Sequence, residues 1–537
     1  MPGLMQDWPL TLDKILDHAR AWHGESEIVS RTSQGTIVRS TYASAYLRAK
    51  RASNMLLSLG VRPGDRVATL AWNGVRHFEV WYGIMGIGAV CHTLNPRLFA
   101  DQLTYIINQA GDRIILVDAD LVPIVAAIRD NIPCVEHVVV LTSEADMPAG
   151  CCGTLCYEAL LCAVPEECTW GGFDEQTAAG LCFTSGTTGN PKGVLYSHRS
   201  NFLHTLASIA PDALNLSATD TILPIVPMFH ANAWGLVFSA AAVGAKLVLP
   251  GNKLDGASIH ELLETEGVTF SAAVPTVWQQ LLDYLYATGR KLSSLQRVVI
   301  GGACVPPHMV RSLRDDFGVD VLHAWGMTEI SPVGTIASLN QRVVKMGAEA
   351  QAAARLKQGR VLLGIEMKLA DDDGRAVPHD GSSYGRLMVR GPWVAREYLN
   401  SSAGALLDKE GFFDTGDVAT IDECGYMQIV DRTKDIIKSG GEWISSVALE
   451  TIMLAHPAVE GAVAIGVAHP RWGERPLLVI KLKGGQAVSK DELLRFLGER
   501  VAKWWVPDDV LFVQELPLGP TGKIDKKTLR RQVTGPA

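Results

Sequence analysis

Short apolar runs alternate with stretches of helical period through the first two-thirds of the chain. "RVATLAW" reads as a strand, "HFEVWYGIMGIGA" as a helix and "AVCHTLN" as the next strand. "RIILVDA" followed by "LVPIVAAIRD" repeats the unit, and so does "VTFSAAV" followed by "PTVWQQLLDYLYATG". "AKLVLP", "RVVIGGA" and "VLHAWG" add further strands. Such alternation predicts parallel sheets covered by helices, with ligands at the carboxyl ends of the strands. "GGA" and "WGMTE" stand at two such ends. Beyond about residue 355 the period changes. "RVLLGIEMKLAD", "YGRLMVRG", "FFDTGDVATID" and "YMQIVDR" are short alternating strands between Gly and Asp turns, and predict a β subdomain. A charged, glycine-rich stretch, "DRTKDIIKSGGEWIS", leads into a fresh α+β pattern.

The expected fold is therefore α/β. A large N-terminal domain, 1–430, holds the αβ sheets and a β subdomain at about 355–430. A hinge at 431–435 leads to a small α+β domain, 436–537. A length of 537 residues exceeds one hydrophobic core and agrees with several subdomains. From residue 436 onward there are 14 Lys/Arg against 11 Asp/Glu, within a chain of net charge −8. That overall charge argues against a nucleic-acid binder. No uncharged apolar run of about 18–20 residues occurs, so no spanning helix is expected, and the N-terminus lacks the pattern of a signal peptide. Five of ten cysteines cluster between Cys151 and Cys168 without CxxC spacing or a nearby His, and read as surface enrichment rather than a metal site. A reducing cytoplasm is the simplest home.

"TSGTTGNPKG" carries the chemistry. A Walker loop would read GxxxxGK[ST] and open a helix. Here Pro191 takes the second glycine position, Gly193 replaces the hydroxyl residue, and strand-like "VLYSH" follows. The loop should join two strands as a hairpin. Thr184, Ser185, Gly186, Thr187 and Thr188 offer N–H groups and hydroxyls to phosphates, and Lys192 adds charge.

Together with "PMFHANAWG", "GGACVP", "HAWGMTE", "FFDTGD", "VDRTKDIIKSGGEWIS" and "PTGKI", in that order, this loop resembles the adenylate-forming enzymes: acyl-CoA synthetases, peptide-synthetase adenylation domains and firefly-type luciferases. The resemblance covers nearly the whole chain. It is nearest to fatty-acyl-CoA ligases and 3-methylmercaptopropionyl-CoA ligases. It implies ATP, Mg2+ and CoA as co-substrates. Thr184 and Glu329 would hold the magnesium, and Thr328 would bond the α-phosphate. Gly302, Ala303, Trp325 and Gly326 would surround the adenine. Asp417 would accept from the ribose, with Arg432 beside it. His230 would stand next to the acyl carboxylate.

In the small lobe the resemblance makes Lys434 the hinge. Lys438, Gly440, Gly441 and Trp443 would line a passage for the pantetheine arm, and Lys523 would bridge carboxylate and α-phosphate during adenylation. A lobe swing would exchange Lys523 for Lys438 between the two half-reactions. The basic run from Lys526 to Arg531 reads as a solvated helix face. The acyl pocket should be lined by His230, Trp234, Gly235, Gly301 and Pro332. "FHANAWGLVF" has no acid to pair an ammonium, so a neutral aliphatic or thioether tail fits. Trp234 either caps a short pocket or swings to open a long one. Two other readings stay open: an acyl-AMP ligase loading a carrier-protein thiol, and a silent nucleotide-binding protein. A homodimer also stays open.

Overall fold

The computed structural model describes residues 1, 3–149, 153–184, 190–400, 406–440, 442–517 and 524–534, with the backbone alone for Glu442 and Thr534. The chain forms two compact units. One comprises Met1–Glu366 with Arg390–Leu407, the other Met367–Val389 with Asp408–Ala537.

The first unit is built on two large sheets. A seven-stranded sheet runs Leu155–Cys156, His137–Val140, Ile114–Val117, Arg66–Leu70, Val90–Thr93, Ala178–Phe183, Gly193–Ser197. Every pairing is parallel except the last. All four residues of Ile114–Val117 are buried, as a strand covered on both faces requires. The second sheet has nine strands, ordered Arg360–Val361, Val333–Ile336, Asp320–Gly326, Arg297–Ile300, Phe270–Ala273, Thr221–Pro224, Lys246–Leu249, Glu27–Arg31, Ile37–Thr41. Its centre is parallel and both edges are antiparallel. Helix Pro275–Thr288 closes one face, where Trp278, Leu281 and Leu282 join a core with Val298, Ile300 and Val321. The alternation read from the sequence is the alternation observed.

One helix reverses the usual logic. His198–Ile209, capped by Ser197 accepting from Ser200 N at 3.0 Å, buries His198, Ser200, Asn201, His204, Thr205 and Ser208. Its Leu206 is exposed. A polar stripe faces inward, beneath the segment 228–235.

The second unit holds the four-stranded sheet Glu366–Ala370, Tyr384–Arg390, Phe413–Ile421, Met427–Arg432. It also holds a five-stranded sheet, in which Val459–His469 and Gly473–Leu482 form the long antiparallel pair. Helix Lys526–Thr534 corrects one expectation. Lys527 and Arg531 are exposed as expected, but Lys526 and Arg530 are not part of a solvated face. Lys526 Nζ lies 2.6 Å from Glu450 Oε1 and donates to Ser446 Oγ at 2.6 Å, and Arg530 reaches Asp435 Oδ1 at 2.8 Å. Ser446 N in turn donates to Asp431 Oδ2 at 2.5 Å. Burial pushes the Asp431 and Glu450 carboxyls up, and the Lys526 ammonium pulls both back down. This helix is thus tied by charge to Asp435, within the segment 431–435, and to Glu450.

Candidate active site

In the first unit the strands flanking the phosphate-type loop, Ala178–Phe183 and Gly193–Ser197, pair antiparallel. Phe183 pairs with Gly193 at the loop's neck, Thr184 N donates to Lys192 O at 2.9 Å, and Lys192 N donates back to Thr184 Oγ1 at 3.2 Å. Ser185, Gly186, Thr187 and Thr188 lie outside the described residues. The Lys192 ammonium stands 4.8 Å over the ring of Tyr398. The Tyr398 phenol donates to Glu329 Oε1 at 2.7 Å. Burial and the nearby Glu329 carboxylate push the Tyr398 phenol up, so it stays a donor. Lys192, Tyr398 and Glu329 therefore form a chain from loop to carboxylate.

The Glu329 segment is held tightly. Thr328 O accepts from Tyr196 Oη at 2.7 Å, and Glu329 O accepts from Ala395 N at 2.7 Å. Met327 N donates to Pro332 O at 3.0 Å, Ser331–Pro332 is a cis peptide, and Gly326 pairs with Val333 as the chain returns. A Cβ on Gly326 would sit 2.0 Å from Pro332 O, so only glycine fits there. Trp325 is buried, its ring lying against Gly334.

The segment 231–235 has an unusual backbone. Ala231, Asn232, Ala233, Trp234 and Gly235 have φ of 44°, 56°, 49°, 54° and 79°, a continuous left-handed turn. Such conformations cost L-residues about 1–2 kcal/mol each. Strain of this kind collects at ligand sites. The turn is buried, while His230 at its entrance is exposed. Asn73, at the carboxyl end of strand Arg66–Leu70, fixes the approach. Its Nδ2 donates to Pro224 O and Val226 O at 2.8 and 2.9 Å, and its Oδ1 accepts from Met228 N at 2.7 Å. The Trp234 ring covers the glycine pair after strand Arg297–Ile300. A Cβ on Gly301 would meet Trp234 Cη2 at 3.3 Å, and one on Gly302 would meet Cζ2 at 3.8 Å. Gly302 and Ala303 are exposed. Trp234, Gly235, Gly301, Gly302, Gly326, Thr328, Glu329 and Pro332 thus line one region of the first unit.

A cavity of about 300 Å³ in this unit, lined by Trp72, Asn73, Arg76 and Asp118 among others, contains none of those eight residues. Its arginines are committed to carboxylates, Arg31 to Glu261, Arg39 to Glu266, Arg48 to Glu79 and Arg76 to Glu158.

In the second unit Asp417 is buried and pairs with Arg432 Nε at 2.7 Å across neighbouring strands. Lys434 follows in a turn where Asp435 N and Ile436 N both donate to Arg432 O at 2.9 Å. Lys438 and Trp443 face each other across the hairpin Ile437–Ser439 and Glu442–Ile444, with the ammonium 4.9 Å over the indole and 3.1 Å from Asp372 Oδ2. Tyr384 Oη donates to Trp443 O at 2.9 Å and holds that strand. Gly440, at φ 63°, has the Trp472 ring where a Cβ would go, 2.8 Å away. Gly441 and Lys523 lie outside the described residues.

Sequence reasoning missed Tyr196, Tyr398 and Asn73. "AREYLN" lay within the resemblance's span and, as a tyrosine in a polar loop, was the available signal for Tyr398.

In the first unit, a lysine and a tyrosine reaching a carboxylate beside an apolar wall on a glycine pair suit activation of an acid by a nucleotide. Comparison with known families agrees. Residues 16–399 match the AMP-binding enzyme family and 448–523 match its C-terminal domain. The chain belongs to the AMP-binding enzyme family. It is 49% identical over 531 residues to the 3-methylmercaptopropionyl-CoA ligase of Ruegeria lacuscaerulensis, covering 99% of this chain and 98% of that one. It is 47% identical to the medium-chain-fatty-acid–CoA ligase of Ectopseudomonas oleovorans, covering 99% and 97%. Among solved structures it resembles an anthranilate CoA ligase in complex with anthranoyl-AMP, with TM-score 0.84, 25% identity and coverage of 98% and 99%.

Proposed function

We propose that this chain is an ATP-dependent acyl-CoA ligase for an aliphatic or thioether carboxylate, of medium-chain fatty acid or 3-methylmercaptopropionate type. The carboxylate oxygen attacks the α-phosphorus of ATP, the bond to the β-phosphate breaks, and acyl-AMP and pyrophosphate result. The CoA sulfur then attacks the acyl carbon and AMP leaves. Both steps bring negative charges together, which calls for oriented donors and cations. The observation that carries the reading is the chain from Lys192 through Tyr398 to Glu329, set in the same unit as the apolar Trp234 wall. Names of full-length relatives near half identity support it.

Among the described residues no three His, Cys, Asp or Glu side chains cluster as a metal cage. One carboxylate, Glu329, with the Thr184 hydroxyl suits a magnesium ion that keeps phosphate oxygens and waters as its other ligands, and the ion would neutralise phosphate charge. Thr328 holds the α-phosphate, Asp417 and Arg432 the ribose, and His230 the carboxylate. In the second step the reading puts Lys438, Gly440, Gly441 and Trp443 along the pantetheine passage, after a swing about Lys434 has withdrawn Lys523. The proposal places the enzyme in the cytoplasm, in keeping with the free thiols of its described cysteines. It extends to a homodimer, which sedimentation would read directly. No helix among the described residues is long and apolar enough to cross a membrane.

The test is AMP formation over carboxylates from acetate to palmitate, including 3-methylmercaptopropionate, with and without CoA. CoA-dependent AMP is expected. Turnover only with a carrier-protein thiol, or none at all, would replace the reading by one of its two rivals.

Trp234→Gly should favour longer chains. The substitution removes the ring over Gly301 and also relieves a left-handed φ. Each methylene newly accommodated is worth about 0.8 kcal/mol, roughly fourfold in kcat/KM per carbon. Unchanged ratios across chain lengths would take Trp234 out of the pocket.

Lys434→Pro should spare adenylation, read as pyrophosphate release, more than thioester formation, because proline fixes φ where the linker must rotate. Equal losses in both assays, with the fold intact, would remove the hinge role.

A further inference from the structure

His204 lies in the helix His198–Ile209 and belongs to no motif of the family resemblance, yet three parts of the site meet on it. Its Nε2 is 3.2 Å from the backbone N of Val333, the residue at which the Glu329 segment rejoins the sheet. The ring edge abuts Gly235, where a Cβ would come within 2.8 Å of Cε1, so the end of the left-handed turn is shaped to receive the imidazole. The ring also meets Trp393 edge-on, with centroids 5.9 Å apart, and Trp393 O accepts from Ser331 Oγ at 3.0 Å.

A backbone N–H can only donate. Nε2 must therefore be the bare nitrogen and Nδ1 must carry the proton, facing Ser208 Oγ at 3.4 Å. The histidine is 1% exposed. Burial lowers its pKa to about 3, so the acceptor persists throughout the working pH range. An apolar side chain would fill the same space without accepting from Val333, which would leave a buried N–H unpaired.

We propose that His204 is a positioning residue, a neutral wedge that sets the Glu329 segment and the Trp234 turn in register with each other. The proposal rests on the roles given above to Glu329 and Trp234. It adds that acyl-tail selection and magnesium dependence are coupled through one buried imidazole.

His204→Phe keeps the ring and removes the acceptor, while His204→Gln keeps an acceptor near the position of Nε2. In the full-length enzyme, His204→Phe should lower adenylation about 10–100-fold, the usual effect of losing a support behind a metal ligand. It should also raise the Mg2+ concentration for half-maximal pyrophosphate release and shift the kcat/KM ratio between short and long acids. KM for CoA should hold. His204→Gln should move all three altered readouts back toward wild type.

A folded His204→Phe with wild-type Mg2+ dependence and chain-length ratios would overturn the proposal, whatever its melting temperature. Glu329→Gln, run in parallel, separates the two claims. If it leaves Mg2+ dependence unchanged, the role of Glu329 falls, and the chain-length ratios, which do not pass through Glu329, decide His204 by themselves. Should His204→Phe not fold, the imidazole 15N shifts of the unaltered protein decide, assigned by their loss in His204→Gln. A protonated Nδ1 and bare Nε2 between about pH 5 and 8 are expected. An Nε2–H tautomer would break the hydrogen bond on which the wedge depends and overturn it.

Discussion

Lys523→Ala should lose acyl-AMP synthesis by roughly two to three orders of magnitude and still convert supplied acyl-AMP and CoA to acyl-CoA. In adenylation two anions approach, the carboxylate oxygen and the α-phosphate. A lysine held between them stabilises that encounter more than it stabilises the separated substrates. Its loss should cost about 3–4 kcal/mol in the first step. The second step begins after pyrophosphate has gone, when the proposed swing has withdrawn the lysine. The fold should not suffer, because the helix that begins at Lys526 keeps its anchors on Glu450 and Asp435. Equal loss in both assays, in a folded protein, would give Lys523 a structural role or a part in both steps. Near-normal synthesis from ATP would remove it from the chemistry altogether.

Gly326→Ala should be nearly as damaging, for a steric reason. The new methyl would lie 2.0 Å from Pro332 O and 2.8 Å from its carbonyl carbon. Both are backbone atoms, so no side chain can step aside. The Thr328–Ile330 turn must move, and Glu329 with it. Overpacking of this order costs about 1–3 kcal/mol of stability, and a displacement near 1 Å in a catalytic group costs about 100-fold in rate. Pyrophosphate release, with a melting curve as control, measures both. A folded variant with wild-type adenylation would show that the turn from Gly326 to Pro332 does not position the reaction.

Hydrophobic period revealed the sheets because a strand covered on both faces leaves an unbroken apolar run, as in Ile114–Val117. The neck of the phosphate loop was legible too. A hairpin needs only two strand-like flanks and glycine, all within one stretch of sequence. Long-range polar contacts were not legible. Tyr196 meets Thr328 across 132 residues, His204 meets Val333 across 129, and Tyr398 meets Glu329 across 69. No local spacing encodes such pairs. Helix His198–Ile209 would have been misread outright, since apolar periodicity turns Phe202 and Leu206 inward whereas the fold buries Asn201, His204 and Ser208. Lys526 and Arg530 misled in the same way. A basic run looks solvated until its acids arrive from Glu450 and Asp435, the second of them 95 residues earlier in the chain.

If the left-handed turn from Ala231 to Gly235 bounds the acyl pocket as proposed, it bears on how this scaffold changes substrate over evolutionary time. Each of its four non-glycine residues holds a positive φ, so a lone replacement changes local backbone strain as well as, on the proposed reading, the size of the acyl pocket. Substrate range should then drift in blocks, with residues 231–235 inherited together and the residue at 204 inherited with them. A designer who wants another acid accepted would do better to transplant the five-residue turn along with its histidine than to search position 234 alone.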